Sequence, residues 1–350
     1  MLTKQDGMMR HLQNGLLVSV YGYLLLVVGV TLLLRFQGDH WWFATLVMYG
    51  PRWIYAAPLV VLMPAALLVR PRLLLPLSFC GAVAIFSLMG LCIPWRTWGK
   101  SKPAALRVLS YNIERYKVPG KDFSALLDRE QPDLIAVQEC AGVGRWTNWW
   151  KRHGEWHTVH RGELMIASRF PIKSVEVSYS HWPPNRRPVL NAIYCVLSTP
   201  QGEIGFCNLH LDTPRRAITA VLDRETLLNL ENAGYANYRL ACRRHESADL
   251  LDWLNQFPES KIIAGDFNMA PDSLIHRSDW AGFRDSFQWS GWGFGFTKRT
   301  VIRRQEYGLR IDRVLTDGNW TPLRSWTGPE LGPDHLPLFA ELAPSETADG

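Results

Sequence analysis

The chain has 350 residues, only 20% of them charged, with 16 tryptophans and a net charge of +6. That length gives room for one large domain plus a second element. Residues 1–102 hold nine Lys/Arg against Asp6 and Asp39, a charge of +7, so the rest of the chain carries about −1. The basic excess therefore speaks for membrane flanks and against a basic, polyanion-binding domain.

Three uncharged apolar runs fill the N-terminal third: residues 15–34, 53–69 (interrupted by Pro58 and Pro64) and 73–94. Each approaches the length that crosses hydrocarbon as a helix. Trp41, Trp42, Trp53, Trp95 and Trp98 suit an interfacial belt, and Arg35, Arg52, Arg70, Arg72 and Arg96 bracket the runs. A signal peptide fits the first run poorly, because it is long, lacks a small-residue cleavage pattern and is followed by two more. Buried helices remain the alternative for the other two. With Lys4 and Arg10 inside, Arg70 and Arg72 also fall inside, and three spans leave everything after Trp95 outside. Arg96, Lys100, Lys102 and Arg107 pull the other way, but long domains translocate largely regardless of such charge. The expected organisation is a membrane region over 1–102, a folded domain over 103–345 and a tail over 346–350.

Beyond a short linker with Pro103, residues 106–109 lead as a strand into Ser110, Tyr111 and Asn112. Residues 123–129 have the spacing of a helix. Residues 133–139 (DLIAVQE) read as a strand ending in Glu139, and 163–169 (ELMIASR) as another. Residues 189–197 and 203–211 flank Thr199-Pro200-Gln201-Gly202 as a hairpin whose second arm ends in His210. Residues 239–257 carry a helical apolar stripe. The stretch KIIAGDFNMAPDS (261–273) is a buried strand followed by a turn; an extended backbone there puts Asp266 and Asn268 on one face. On the other reading, the two side chains bond their own backbone at a strand end. Residues 310–315 (RIDRVL) carry Asp312, and Asp334-His335 precede a last strand at 336–342.

Strand after strand thus ends in a polar group: Asn112, Glu139, His210, Asp266, Asn268, Asp312, Asp334, His335. Several carboxylates converging on one rim need neutralising, and oxygen ligands favour Mg²⁺, with Mn²⁺ as substitute, over zinc. The cysteines do not have zinc-site spacing.

LSYN (109–112), LIAVQE (134–139), ASRFPI (167–172), NLHL (208–211), GDFN (265–268), RIDRVL (310–315) and PDHLPL (333–338) resemble, in order, the motifs of the endonuclease/exonuclease/phosphatase superfamily, in its deoxyribonuclease I-like form. The resemblance implies a four-layer α/β sandwich, two packed mixed sheets flanked by helices, with the site at one end of the sheets. It implies Glu139 as principal Mg²⁺ ligand with Asn112 beside it and Asp334 as a further acidic member. Asp266 matches the residue that orients or activates water, and Asn268 helps fix it and the phosphate. His335, oriented by Asp312, matches the histidine at the phosphate, and His210 a second phosphate or leaving-group histidine. Glu163 lies where a carboxylate partner for His210 is found, in a loose alignment. The implied activity is hydrolysis of a phosphodiester by a membrane-anchored, bacterial-type member, integral to an inner or plasma membrane with its catalytic domain extracytoplasmic.

The substrate is less legible. The inositol-phosphate 5-phosphatase branch is disfavoured, since Ile262-Ile263-Ala264 replaces its tryptophan-bearing strand. Residues 213–238 form either an amphipathic cap, over the site or on the bilayer, or an ordinary outer helix. Trp292, in WSGWGFGF, with Arg303 and Arg304 suits stacked bases, with lipid headgroups as an alternative and core packing as a third reading. Trp146, Trp149, Trp150 and Trp156, with Lys151 and Arg152, raise the same question. Nucleic acid is the favoured substrate and a phospholipid or sphingolipid headgroup the alternative. A catalytically silent scaffold of the same fold is a second alternative, and the lipid bilayer is the only partner implied. Cys195 and Cys207 are roughly symmetric about the hairpin turn; free thiols are the expected state, with a cross-strand disulfide as the alternative.

Overall fold

The computed structural model describes residues 2–99, 103–115, 117–140, 150, 156–222, 230–302 and 305–345. The chain falls into two compact units, Met1–Leu91 with Asp272–Leu274, and Cys92–Pro271 with Ile275–Gly350.

In the first unit, three helical runs are long and apolar enough to cross a membrane: Gly7–Phe36 (30 residues), Arg52–Val69 (18) and Pro71–Leu88 (18). Val18, Leu25, Val60, Leu68 and Leu75 are exposed on them. The prolines of the second run leave it in two pieces, a tight turn at Arg52–Tyr55 and a helix at Leu59–Val69 that carries Pro64 inside it. The third run stops short of the expected Pro94, and Gly90, at φ +75°, turns the chain. Arg52, expected as a flank charge, is buried instead. Its Nε donates to Met48 O at 2.9 Å and its Nη1 to Leu88 O at 2.7 Å, which ties the second run to the end of the third.

The second unit contains, among the described residues, β1 (Leu106–Asn112), β2 (Leu134–Gln138), β3 (His157–Arg161), β4 (Leu164–Ser168), β5 (Ile172–Ser180), β6 (Val189–Thr199) and β7 (Gly202–His210). Then follow β8 (Ser260–Asp266), β9 (Arg284–Asp285), β10 (Lys298–Ile302), β11 (Gln305–Leu309), β12 (Asp312–Thr316), β13 (Trp320–Thr327) and β14 (Leu338–Pro344). One sheet runs β13-β14-β1-β2-β4-β3 and the other β5-β6-β7-β8-β12-β9, with β10–β11 a separate hairpin. Both sheets are mixed: β1 is parallel to β2 and β7 to β8, against antiparallel neighbours.

Alternation along the strands makes the layers. Val108, Ala136, Ile193, Phe206, Ile262 and Val314 meet in the core between the two sheets. The opposite face of the first sheet, with Leu109, Tyr111 and Ile135, is covered by Phe123, Leu126 and Leu127 of the helix Gly120–Glu130. The opposite face of the second, with Tyr194, Leu209 and Ile263, is covered by Leu250 and Leu254 of the helix Leu230–Leu254. This is the four-layer α/β sandwich expected from the motifs.

Residues 213–238 are not one cap. The helix Arg215–Leu222 buries Ala217 and Val221 and exposes Leu222, residues 223–229 lie outside the described ones, and the remainder begins the long helix. The two hairpin cysteines are not opposite each other. The turn pairs Thr199 with Gly202, so Cys195 faces Phe206, and Cys207 faces Tyr194. The one-residue offset puts Cys195 in the inter-sheet core and Cys207 on the outer face. Cys195 and Cys207 are both thiols, the expected state.

Candidate active site

The pairing brings the polar strand ends together. Asn112 ends β1 opposite Gln138, and His210 ends β7 opposite Asp266, the end of β8. β12 is antiparallel to β8 and starts with Asp312 opposite Asp266. β14 is antiparallel to β1 with Leu338 opposite Ser110, so His335, just before it, reaches the same end. β7 and β8 run so close at Gly265 (φ +156°) that a Cβ there would sit 2.1 Å from Leu209 O. Only glycine fits there.

One carboxylate oxygen is the hub. Asp266 Oδ2 accepts from Asn112 Nδ2 at 3.1 Å and lies 3.7 Å from both His210 Nε2 and His335 Nε2. Its Oδ1 accepts the N–H of Asn268 at 2.9 Å. Behind His335, Asp312 accepts from Nδ1 at 2.9 Å, which fixes the imidazole. The N–H groups of Ile311 and Asp312 donate to Thr297 Oγ1, holding the strand start in place.

Asn268 does not share an extended face with Asp266. Its φ is +52°, β8 ends at Asp266, and its Nδ2 donates to Leu211 O at 2.9 Å. The turn in which these residues bond the local backbone is present, and it is part of the site: it aims Oδ2 at the rim. Glu139 also lies just past its strand with a left-handed backbone, φ +53°. Non-glycine residues hold such conformations at a cost of about 1–3 kcal/mol, and these two flank the hub.

Electrostatics reinforce the geometry. Burial and the adjacent Asp312 push Asp266 up from the ordinary carboxylate range, against the pull of His335 and His210. Burial alone would lower His335, but Asp312 and Asp266 outweigh it and push the imidazole up to about 9. Asp266, Asp312 and His335 offer ligand atoms within 4.8 Å of one another. Asp312 is committed to His335 Nδ1, however, so this trio is a carboxylate–histidine pair facing a second carboxylate. Glu139 and Asp266 both accept from the Asn112 amide at 3.1 Å, and carboxylate oxygens are donors of the kind a hard divalent cation takes.

The other expected site residues are placed less centrally. Asp334 is ion-paired with Lys298, and its backbone N–H donates to Glu114 Oε2 at 3.0 Å, with Oδ1 3.9 Å from His335 Nε2. Burial would raise its carboxyl, yet Lys298 and His335 hold it below the usual range. Glu163 is exposed and makes no hydrogen bond to His210 among the described residues; the two line one cavity. Trp292 is 71% exposed. Trp150 is buried against Trp156 and Phe123, a core role. Arg303, Arg304, Trp146, Trp149, Lys151 and Arg152 lie outside the described residues.

Sequence reasoning missed Asn208 and Gln138. Both are buried under the rim, where Gln138 Nε2 donates to Asn208 Oδ1 at 2.7 Å and Asn208 Nδ2 donates to Val137 O and Met165 O. They lock the two sheets together beneath Asn112 and His210. Two amides inside otherwise apolar strands were the available clue.

The profile described as the Endonuclease/Exonuclease/phosphatase family matches residues 109–345. A search of curated proteins finds no match. Among solved structures, the 3′ phosphatase NExo from Neisseria, bound to a product DNA hairpin, is similar at 18% identity and TM-score 0.50, covering 68% of this chain and 100% of its own. D. rerio TDP2 with a single-strand DNA product is similar at 13% identity and TM-score 0.50, covering 68% and 98%. An endonuclease/exonuclease/phosphatase family protein from Leptotrichia buccalis matches at 15% identity and TM-score 0.49, covering 68% and 100%. At such identities the Neisseria and D. rerio structures speak for the fold alone, and the profile, spanning every strand-end motif described above, shows that the chain belongs to the endonuclease/exonuclease/phosphatase family.

Proposed function

We propose that this protein is a divalent-cation-dependent phosphodiesterase, tethered to a membrane by its three apolar helices, with nucleic acid as the favoured substrate. One observation carries the reading: a single buried oxygen, Asp266 Oδ2, faces Asn112, His210 and His335, with Asp312 behind His335. Phosphodiester hydrolysis needs an oriented water, positive charge beside the phosphoryl oxygens and a proton for the departing oxygen. Asp266 orients the water and takes its proton as the water oxygen bonds to phosphorus. His335, held positive by Asp312, donates to a phosphoryl oxygen. His210 gives its proton to the departing oxygen as the phosphorus–oxygen bond breaks. Glu139 and Asp266 are the residues that would hold Mg²⁺ or Mn²⁺, with the Asn112 amide donating to both, and the cation when bound would supply electrophilic stabilisation of the phosphoryl group.

The preference for nucleic acid draws support from the DNA-bound structures of the same fold, and the apolar helices favour a lipid headgroup as the alternative. The test is a panel of DNA, RNA, sphingomyelin and phosphoinositides given to the full-length protein in lipid, with Mg²⁺ or EDTA. Turnover of one class that EDTA abolishes supports the reading. A wild type and an Asp266→Ala/His335→Ala variant equally inert on all four point to a silent scaffold. Protease accessibility of the second unit in sealed vesicles of known orientation tests the extracytoplasmic placement; protection in right-side-out vesicles reverses it.

A further inference from the structure

A cavity of about 760 Å³ opens beside His210. Glu163 and Leu164, the β5–β6 connection, the residues after β7 and the helix Leu230–Leu254 all line it. Arginines reach it from three of these directions: Arg186 and Arg187 from the β5–β6 connection, Arg216 from the helix after His210, and Arg239 from the long helix.

The acids at the cavity do not cancel this charge. Asp212 is ion-paired with Arg239. Glu246 is buried and accepts the N–H of Asp212 at 2.9 Å, and burial, its largest influence, pushes its carboxyl up to about 7. Glu163 is left against Arg186, Arg187 and Arg216, which are exposed and form no ion pair among the described residues. Arg239, which lines the same cavity, is 3% exposed, and its Nε and Nη1 have no hydrogen-bond partner among the described residues. Three guanidinium groups with no ion pair among the described residues, and a fourth with unused donors, line one cavity and suit a compact anion with several acceptor oxygens, and the planar fork of arginine matches phosphate. Trp182 adds a firm wall: its ring stacks on His245 at 4.4 Å and its Nε1 donates to Asp249 at 2.7 Å.

We propose that this cavity is a second phosphate subsite, which holds a phosphate carried by the substrate on the His210 side of the scissile phosphate. The enzyme then selects diesters that bear one. The inference rests on the phosphodiesterase reading for its effect on turnover, but not for its effect on binding.

The test uses the full-length protein in detergent micelles and an Arg187→Ala/Arg216→Ala variant, both positions being exposed. Two matched pairs of diesters are hydrolysed with Mg²⁺: a dinucleotide with and without a terminal phosphate, and glycerophosphoinositol with and without a ring phosphate. The expected result is about a tenfold preference for the phosphorylated member of one pair, which also identifies the source, and its loss in the variant through KM with kcat held within about twofold. A preference equal in wild type and variant, or none in either pair while the wild type turns both over, overturns the proposal. Calorimetric titration with pyrophosphate, without divalent cation, reads the subsite with no turnover at all. A dissociation constant about tenfold weaker in the variant supports the subsite, and equal affinity or no wild-type binding overturns it. A wild type that binds pyrophosphate in this way yet hydrolyses none of the four diesters counts against the phosphodiesterase reading alone.

Discussion

His210 and His335 stand at the same distance, 3.7 Å, from the same oxygen of Asp266, yet they are built differently. His335 is buried, fixed at Nδ1 by Asp312 and held charged. His210 is 23% exposed, has no hydrogen-bonding partner of its own among the described residues, and borders an open cavity. The difference teaches a division of labour. The His335 side is preorganised, so its charge is in place before substrate arrives. The His210 side is open, which on the proposed mechanism suits proton delivery and selection.

The largest effect expected from this asymmetry is at the hub itself. Asp266→Ala removes the carboxylate that faces both histidines and should lower kcat by about 10³-fold or more, measured as initial rates at saturating Mg²⁺. Next comes the Asp312–His335 pair. Asp312→Asn keeps the shape but spoils the tautomer, for a loss of about 10²–10⁴-fold in kcat. His335→Ala leaves Asp312 buried without its counter-charge and should destabilise the second unit by about 3–5 kcal/mol in chemical denaturation. His210→Ala should cost about 10²-fold in kcat while leaving the unfolding midpoint in place. If His210→Ala unfolds the protein as readily as His335→Ala does, the division between the two sides is wrong.

A smaller effect concerns the cation. Glu139→Gln should raise the Mg²⁺ concentration for half-maximal activity by at least about tenfold. An unchanged titration curve removes Glu139 from the ligand set.

The smallest effect is on stability. Glu246 is buried and its folded pKa, about 7, is raised above its ordinary 4.5 by burial, with Asp212 adding to the rise and Arg243 opposing it. The folded state therefore holds a proton that the unfolded state releases. The stabilisation is complete below about pH 4.5 and is lost as pH rises through about 7, up to about 3 kcal/mol in all. Glu246→Gln should flatten that slope between pH 4.5 and 7, followed by thermal unfolding. A slope as steep as that of the wild type would assign it to other groups.

Much of the site was legible because each functional group ends or begins an apolar strand, so local pattern alone located Asn112, Glu139, His210, Asp266, Asp312 and His335. What local pattern does not encode is how strands meet. The left-handed backbone of Asn268 and Glu139 arises where β8 and β2 stop, one or two residues short of the extended reading. Cys195 and Cys207 missed each other by one residue of register, set by the Thr199–Gly202 turn. β3, with exposed His157 and Thr158, and β5, half exposed along its length, lie at sheet edges and have no apolar run to announce them. The pairing of Asn208 with Gln138 runs across the sandwich, 70 residues apart in sequence, where no local pattern shows it. The cavity beside His210 gathers arginines from three separate segments, which no local window contains.

The most direct test of the central claim is hydrolysis of bis(p-nitrophenyl) phosphate by the full-length protein in detergent, wild type beside Asp266→Asn, each with Mg²⁺ and with EDTA. Both proteins should show the same unfolding midpoint within about 1 kcal/mol of stability. The account predicts wild-type turnover that EDTA abolishes and that falls by about 10³-fold or more in the variant. Equal rates in wild type and variant, a shared zero included, would contradict it.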